Sequence, residues 1–366
     1  MKILCHGVLA EPLLRHVVLG RDVAGAAGVV RGLTLRQAAS GPWAVAVRVV
    51  GAKVVGVVLS GLGAGAVDRL DFFMAVLGQT RVPVSVETGG AAEVVWAHVG
   101  DGAGPDWEAG DWQQRFGPTW AATAGDVMAL FGRVTPEAVA LRLGSMLVRG
   151  ASRVRAAASA PADQRHRAVV GDVAVAALRQ PYARFFAIEE YDVAWRRFDG
   201  RLSETVTRAA FLSGDAVTVL PYDSKRDLVL VVEQFRAGPL ARGDGQCWQI
   251  EAIAGRVDPG ESPEAAARRE AVEEAGLELG GLLEVARYYP SPGAVSEYLY
   301  SYVALTDLAD GSAGVFGMAG ETEDIRGHLI SFDRLMDLVT TGEIENAPLI
   351  LTALWLQRER SRLRAG

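Results

Sequence analysis

The sequence predicts an α+β chain folded as two or three compact units. Three observations carry this. The chain has 366 residues, where one domain takes roughly 100–200. Half of those residues are hydrophobic and 22% are charged, a balance that buries a core and does not stay disordered. The patterning also changes along the chain, from valine-rich runs punctuated by glycine to strand-like runs interleaved with capped helices.

In chain order, 43–50, 54–59, 82–87 and 93–99 read as strands, because β-branched runs are separated there by glycine. A helix over 66–77 interrupts them. Thr135-Pro136-Glu137 is a helix start: a cap residue, proline at the first helical position, then an acid in the first turn. The Ala/Arg-rich stretch 136–182, broken by Gly150, Pro161 and Gly171, reads as one or two helices and a linker. From Phe185 a second set begins, with strands at 206–212, 216–221, 228–234, 249–253 and 298–304. A helix is expected at 263–275, a glycine-rich loop at 309–320, and helices at 331–340 and 348–362. The expected division is therefore 1–132, a helical linker over 133–184, and 185–366.

Net charge is −7, from 37 basic and 44 acidic residues. That excludes a non-specific nucleic-acid binder, which needs a basic surface. Two cysteines, Cys5 and Cys247, cannot supply a disulfide framework or a cysteine-rich zinc site. The N-terminal apolar run is broken by His6 and Glu11, so no secretory signal is read there. The most apolar stretch, 43–67, carries Arg48 and Lys53, so no membrane span is read either. These readings place the protein in the cytoplasm.

The chemistry lies in Gly255-Arg-Val-Asp-Pro-Gly-Glu261-Ser-Pro-Glu-Ala-Ala-Ala-Arg-Arg269-Glu270-Ala-Val-Glu273-Glu274-Ala-Gly276-Leu277. Ser262 is a helix cap, Pro263 suits the first position, and Gly276 suits a left-handed stop. Glu270, Glu273 and Glu274 then share one helical face. Like charges at that spacing cost a few tenths of a kcal/mol per pair. A short acidic helix face alone would be ordinary solvated surface. A reason to cluster the charges is a hard cation such as Mg²⁺ or Mn²⁺, which also binds substrate phosphates.

This stretch resembles the Nudix box without a gap, over a region of similarity spanning about 185–366. Seven fixed identities at roughly 7–10% usage match by chance about 10⁻⁷ to 10⁻⁸ times per start. One residue is unusual: Ala271 stands where the family prefers a larger aliphatic. The resemblance implies an α/β/α sandwich on a mixed sheet. Pro292, 16 residues past Gly276, stands in Tyr289-Pro-Ser-Pro-Gly293-Ala-Val-Ser-Glu297, which is similar to a segment of ADP-ribose pyrophosphatases. Glu233-Gln-Phe-Arg236, Glu251-Ala-Ile-Ala254-Gly255, Glu321-Thr-Glu323-Asp324 and Asn346-Ala347 also match that subclass.

The resemblance implies the following roles. Glu270 and Glu274 would be the core metal ligands, with Glu261, Glu273, Glu323 and the Ala254 carbonyl in support. Arg269 would brace the glutamates as an ion pair. Arg236 would hold a diphosphate oxygen, with Glu251, Pro292, Gly293 and Glu297 on the substrate side. Glu321 is the candidate general base. The expected reaction splits ADP-ribose or a related nucleoside diphosphate sugar into a nucleoside monophosphate and a sugar phosphate, in a homodimer that exchanges 186–212. A dinucleotide substrate and a non-enzymatic ADP-ribose sensor are the competing readings. Sensors tend to lose the box glutamates, and all four are kept here.

At the N-terminus, Cys5-His6-Gly7-Val8-Leu9 with Leu19-Gly20, 57–59 and Leu70-Asp71 resembles gamma-glutamylcyclotransferase-like domains, which are small β-barrels. Those domains need a glutamate where this chain has Met74, and a tyrosine where it has His6. The resemblance therefore implies a barrel without cyclotransferase chemistry, with Glu87 and Glu93 as the acids available to replace the lost base. The pairing of such a domain with this kind of Nudix domain resembles tellurite-resistance proteins of the TrgB type, a phenotype name that supplies no chemistry.

Overall fold

A computed structural model describes residues 1–366 apart from 89–90, 103, 159–160, 318–323 and 366. The chain divides into two units, Met1–Arg167 and Ala168–Gly366.

The first unit contains β1 (Ile3–Cys5), α1 (Pro12–Leu19), β2 (Gly25–Gln37), β3 (Ala44–Leu59), α2 (Ala64–Val76), β4 (Gln79–Thr88), β5 (Ala91–Gly100), α3 (Ala109–Ala129), α4 (Pro136–Ala140) and α5 (Leu143–Ala156). Its strands close into a barrel in the order β1-β3-β2-β4-β5, sealed by the parallel pair of β1 and β5. Side-chain alternation gives the barrel wall two different faces. Leu4 packs with Val30, Val58, Val86 and Ala97 in one core. Its neighbours Ile3 and Cys5 pack with Phe73, Trp120 and Leu147 in another, which the helices complete.

The segments expected as two strands at 43–50 and 54–59 form the single strand β3, and helices α1 and α3 were not anticipated. The expected boundaries also need correction. Thr135 does cap a helix, its side chain accepting from the Ala138 N–H, but 136–156 is no linker. Val139, Leu143, Met146 and Leu147 are buried in the core that holds Trp120 and Phe73. At the other end of the expected linker, 173–183 is a strand of the second unit.

His6 is buried, with its Nε2 2.7 Å from the His98 carbonyl. A carbonyl only accepts, so Nε2 carries the proton. Burial pushes this imidazole down to about 4, against roughly 6.5 for an unhindered histidine. The folded state therefore disfavours the charged form. Its contribution to stability is complete above about pH 6.5 and is lost as pH falls from there through about 4. The expected loss is about 3 kcal/mol across that window. Urea melts followed by tryptophan fluorescence at several pH values should show it, with a flatter acid limb in His6→Gln. Parallel limbs in the two proteins would refute the assignment.

The second unit contains β6 (Val173–Ala183), β7 (Ala187–Trp195), β8 (Val206–Leu212), β9 (Asp215–Asp223), β10 (Leu228–Phe235), α6 (Ala237–Arg242), β11 (Trp248–Glu251), β12 (Ile253–Arg256), α7 (Pro263–Ala275), β13 (Gly281–Tyr288), β14 (Tyr298–Leu305), β15 (Val315–Phe316), β16 (Ile325–Ser331), α8 (Phe332–Thr341) and α9 (Ala347–Ala365). Eight of the strands form one mixed sheet in the order β13-β14-β9-β10-β16-β15, with β11 on β10 and β12 on β9. Within it β14 runs parallel to β9.

Alternation again divides the layers. Val217, Val219, Leu230 and Val232 pack with Ala266, Ala267, Ala271 and Ala275 of α7. Leu220, Tyr222, Val229 and Val231 pack on the other face with Leu335, Leu349, Ala353 and Leu356 of α8 and α9. The expected three-layer sandwich is present. Strands β6, β7 and β8 form a separate antiparallel sheet. Val173, Val175, Leu178 and Tyr182 of β6 are exposed. No helix among the described residues is long and apolar enough to cross a membrane.

Candidate active site

Helix α7 begins and ends as its sequence dictates. The Ser262 hydroxyl accepts from the Ala265 N–H at 3.1 Å, and Pro263 follows. Gly276 stops the helix at φ 61°, a backbone conformation that costs glycine little. Its inner side is alanine, so the helix seats against the sheet with its glutamates beside β12.

Arg269 organises those glutamates. Its Nε and Nη2 each meet a Glu261 carboxylate oxygen at 3.1 Å. Its Nη1 donates to Glu270 at 2.7 Å and to Glu273 at 2.8 Å, and Nη2 also reaches the Arg256 carbonyl at 3.0 Å. Burial opposes the charge on Arg269, but pairing with Glu261 and Glu270 outweighs it and holds the guanidinium firmly protonated. One cation thus sits among three carboxylates.

Two glutamates approach the same stretch of β12. Glu274 is 3% exposed, and its carboxylate accepts from the Ala254 N–H at 3.2 Å. Glu270 lies against Gly255. A Cβ there would fall 1.8 Å from the Glu270 Oε1 and 1.9 Å from its Cδ, which is why the first residue of the box must be glycine. Oxygen donors of this kind fit a hard divalent cation, and Glu270, Glu274 and the Ala254 carbonyl are its candidate ligands. Among the described residues no three acidic, histidine or cysteine side chains stand together as a complete metal cage. Glu321 and Glu323, expected as base and ligand, lie outside the described residues.

Next to β12 is a cavity of about 260 Å³ whose lining includes Arg236, Glu251, Ala254, Gly255, Arg256, Glu297 and Asn346. Arg236 is not turned wholly to a ligand. Its Nε and Nη2 both donate to Glu251, at 3.0 and 2.6 Å, and the Asn346 amide takes the other Glu251 oxygen at 3.0 Å. Glu251 is therefore an anchor for Arg236. Glu297 borders the same cavity, its carboxyl raised by burial. Pro292 and Gly293 are exposed on the turn between β13 and β14 and do not line the cavity. That turn is fastened to β8, with the Phe211 N–H on the Ala294 carbonyl at 2.8 Å and the Ser296 N–H on the Phe211 carbonyl at 2.9 Å.

Arg256 was not anticipated. Its guanidinium stacks on Phe185 at 4.0 Å and on Phe186 at 5.2 Å. No signal in the sequence marks it, because it fills a variable position between fixed ones. A second cavity, about 340 Å³ beside Glu233, Trp248 and Asp324, touches none of the described candidate ligands.

Comparison with known proteins shows the family of this chain. A family profile described as NUDIX domain matches residues 212–352. The ADP-ribose pyrophosphatase of Escherichia coli strain K12 is 37% identical over 193 residues, which are 53% of this chain and 91% of that protein. The chain belongs to the Nudix family. It is a Nudix pyrophosphohydrolase. The ADP-ribose pyrophosphatase of Haemophilus influenzae is 32% identical, over 52% of this chain and 89% of its own length. The GDP-mannose pyrophosphatase of Escherichia coli O9:H4 is 30% identical, over 47% and 88%. A crystallised ADP compounds hydrolase aligns with 53% of this chain and 98% of its own at 18% identity and a TM-score of 0.41.

Proposed function

We propose that the Nudix domain hydrolyses the pyrophosphate bond of ADP-ribose or a related nucleoside diphosphate sugar, with Mg²⁺ or Mn²⁺, giving a nucleoside monophosphate and a sugar phosphate. The observation that carries this is the glutamate face braced by Arg269 and set against Gly255, beside a cavity lined by Arg236 and Glu251. The relatives named for ADP-ribose and GDP-mannose support the substrate class.

Water attacks one phosphorus, the bond to the bridging oxygen breaks, and the water proton passes to a carboxylate. Glu270, Glu274 and the Ala254 carbonyl would hold the ion, which when bound neutralises phosphate charge and acidifies water. Arg269 keeps Glu270 oriented by tying it to Glu261 and Glu273. Glu251 and Asn346 fix the Arg236 guanidinium at the cavity wall, and Glu321 is the candidate proton acceptor. The test is a product screen over ADP-ribose, nucleotide sugars and dinucleotides. Expected are AMP and ribose 5-phosphate from ADP-ribose. Turnover confined to dinucleotides would overturn the substrate class.

The domain is also proposed to work as a homodimer with a second copy seated through 186–212 and the neighbouring β6. The exposed apolar row on β6 supports this. Sedimentation at micromolar concentration should give a dimer; a fully active monomer would refute it.

The N-terminal unit is proposed to be a cyclotransferase-like barrel that has lost its chemistry. Met74 is 2% exposed, inside the core, and a thioether is only a weak acceptor. Glu87 is held by Arg31 at 2.7 Å, and Glu93 pairs with Lys2. No 5-oxoproline should form when the whole chain is incubated with gamma-glutamyl dipeptides. Formation that vanished in a His6-Gly7 loop variant would overturn this.

A further inference from the structure

Arg256 is the group in the cavity that the reaction as described leaves unused. Its main chain is fixed twice, by pairing with Ala216 on β9 and by the bond from Arg269 to its carbonyl. Its guanidinium carbon lies 4.0 Å from the centre of the Phe185 ring and 5.2 Å from that of Phe186. Two aromatic rings this close hold the cation at the cavity wall through cation–π attraction. One of its nitrogens, Nη2, is buried and has no hydrogen-bond partner. Buried donors are rarely left so, and a functional role is among the explanations for one that is. Arg256 lines the cavity that Arg236, Glu251 and Glu297 also line. Two donors of Arg236 are engaged by Glu251, and the Glu251 oxygens are taken by Arg236 and Asn346.

Resting on the functional reading above, we infer that Arg256 binds a non-bridging oxygen of the substrate's diphosphate and so selects nucleoside diphosphates over nucleosides. A guanidinium matches phosphate oxygens in both charge and geometry, which a base or a sugar hydroxyl does not. Diphosphate recognition then comes from inside the box, at a variable position two residues after Ala254.

The test is calorimetric binding of ADP and of adenosine to the full chain, with chelator present so that nothing is turned over. Arg256→Met should weaken ADP binding about 10- to 100-fold and leave adenosine binding unchanged. Arg256→Lys should restore part of the ADP affinity, because the charge returns without the fork. Phe185 is 62% exposed, so Phe185→Leu keeps the fold while freeing the guanidinium, and an intermediate loss of ADP affinity is expected. Equal ADP affinity in wild type and Arg256→Met would overturn the inference. So would an equal loss of ADP and adenosine binding, which marks a structural role. A wild-type chain that binds neither ligand would overturn the functional reading and this inference with it, and is told apart by the wild-type measurement alone.

Discussion

Glu274→Gln is expected to leave the fold intact and to lower turnover at least about 100-fold at saturating Mg²⁺. The substitution keeps the size of a side chain that is almost wholly buried, and the amide oxygen can still accept from the Ala254 N–H. What disappears is one negative charge on the face proposed to hold the cation. Steady-state kinetics across a Mg²⁺ titration, with circular dichroism as the control for folding, checks it. A variant that hydrolyses substrate at near the wild-type rate would sink the assignment of Glu274 as a metal ligand.

Arg269→Met is expected to lower stability in a way that depends on metal. It removes the cation from Glu261, Glu270 and Glu273 and leaves three crowded carboxylates. Breaking a buried pair from one side costs roughly 3–5 kcal/mol. Arg269 keeps about a third of its side chain in water, which screens part of that, so about 2–3 kcal/mol is expected. The signature is its dependence on metal. In chelator the variant should melt well below wild type, and Mg²⁺ should stabilise it more than it stabilises wild type, since the ion takes over neutralisation that Arg269 otherwise supplies. Equal stabilisation of both proteins by Mg²⁺ would show that the ion does not share these carboxylates.

The box was legible because its meaning lies in spacing. Ser262, Pro263 and Gly276 define a helix of known length, and that length puts Glu270 and Glu274 on one face. The buried strands β9, β10 and β14 were legible for a similar reason, being short apolar runs between turns. Helix α3 was not. It holds Gly110, Gly117, Gly125 and Pro118, each of which argues locally against a helix. Packing of Trp112, Trp120 and Val127 overrides them. Strand β6 was hidden by Pro181 and by an exposed face that breaks the alternation. In the site, the sequence marks Arg236 as a candidate, but its tie to Glu251 spans strands that pair only in the fold. The stack of Arg256 on Phe185 joins residues about 70 apart in sequence, and no local pattern encodes such a contact.

The alanines on the inner side of α7 have a consequence for how this enzyme can vary over generations. Ala271 occupies a place where the family prefers a bulkier residue, and it is fully buried. The same core holds Tyr300 and Tyr302 from β14, and the Tyr302 hydroxyl reaches Glu264 on α7 at 3.4 Å. The small residues of the helix and the large ones of the strand thus share one core. Interiors this dense accept an added methylene only where another is given up. A lineage that enlarges residue 271 must therefore give up volume elsewhere in this core, or lift the helix off its seat. Residues outside the box that share this core thus inherit its constraint.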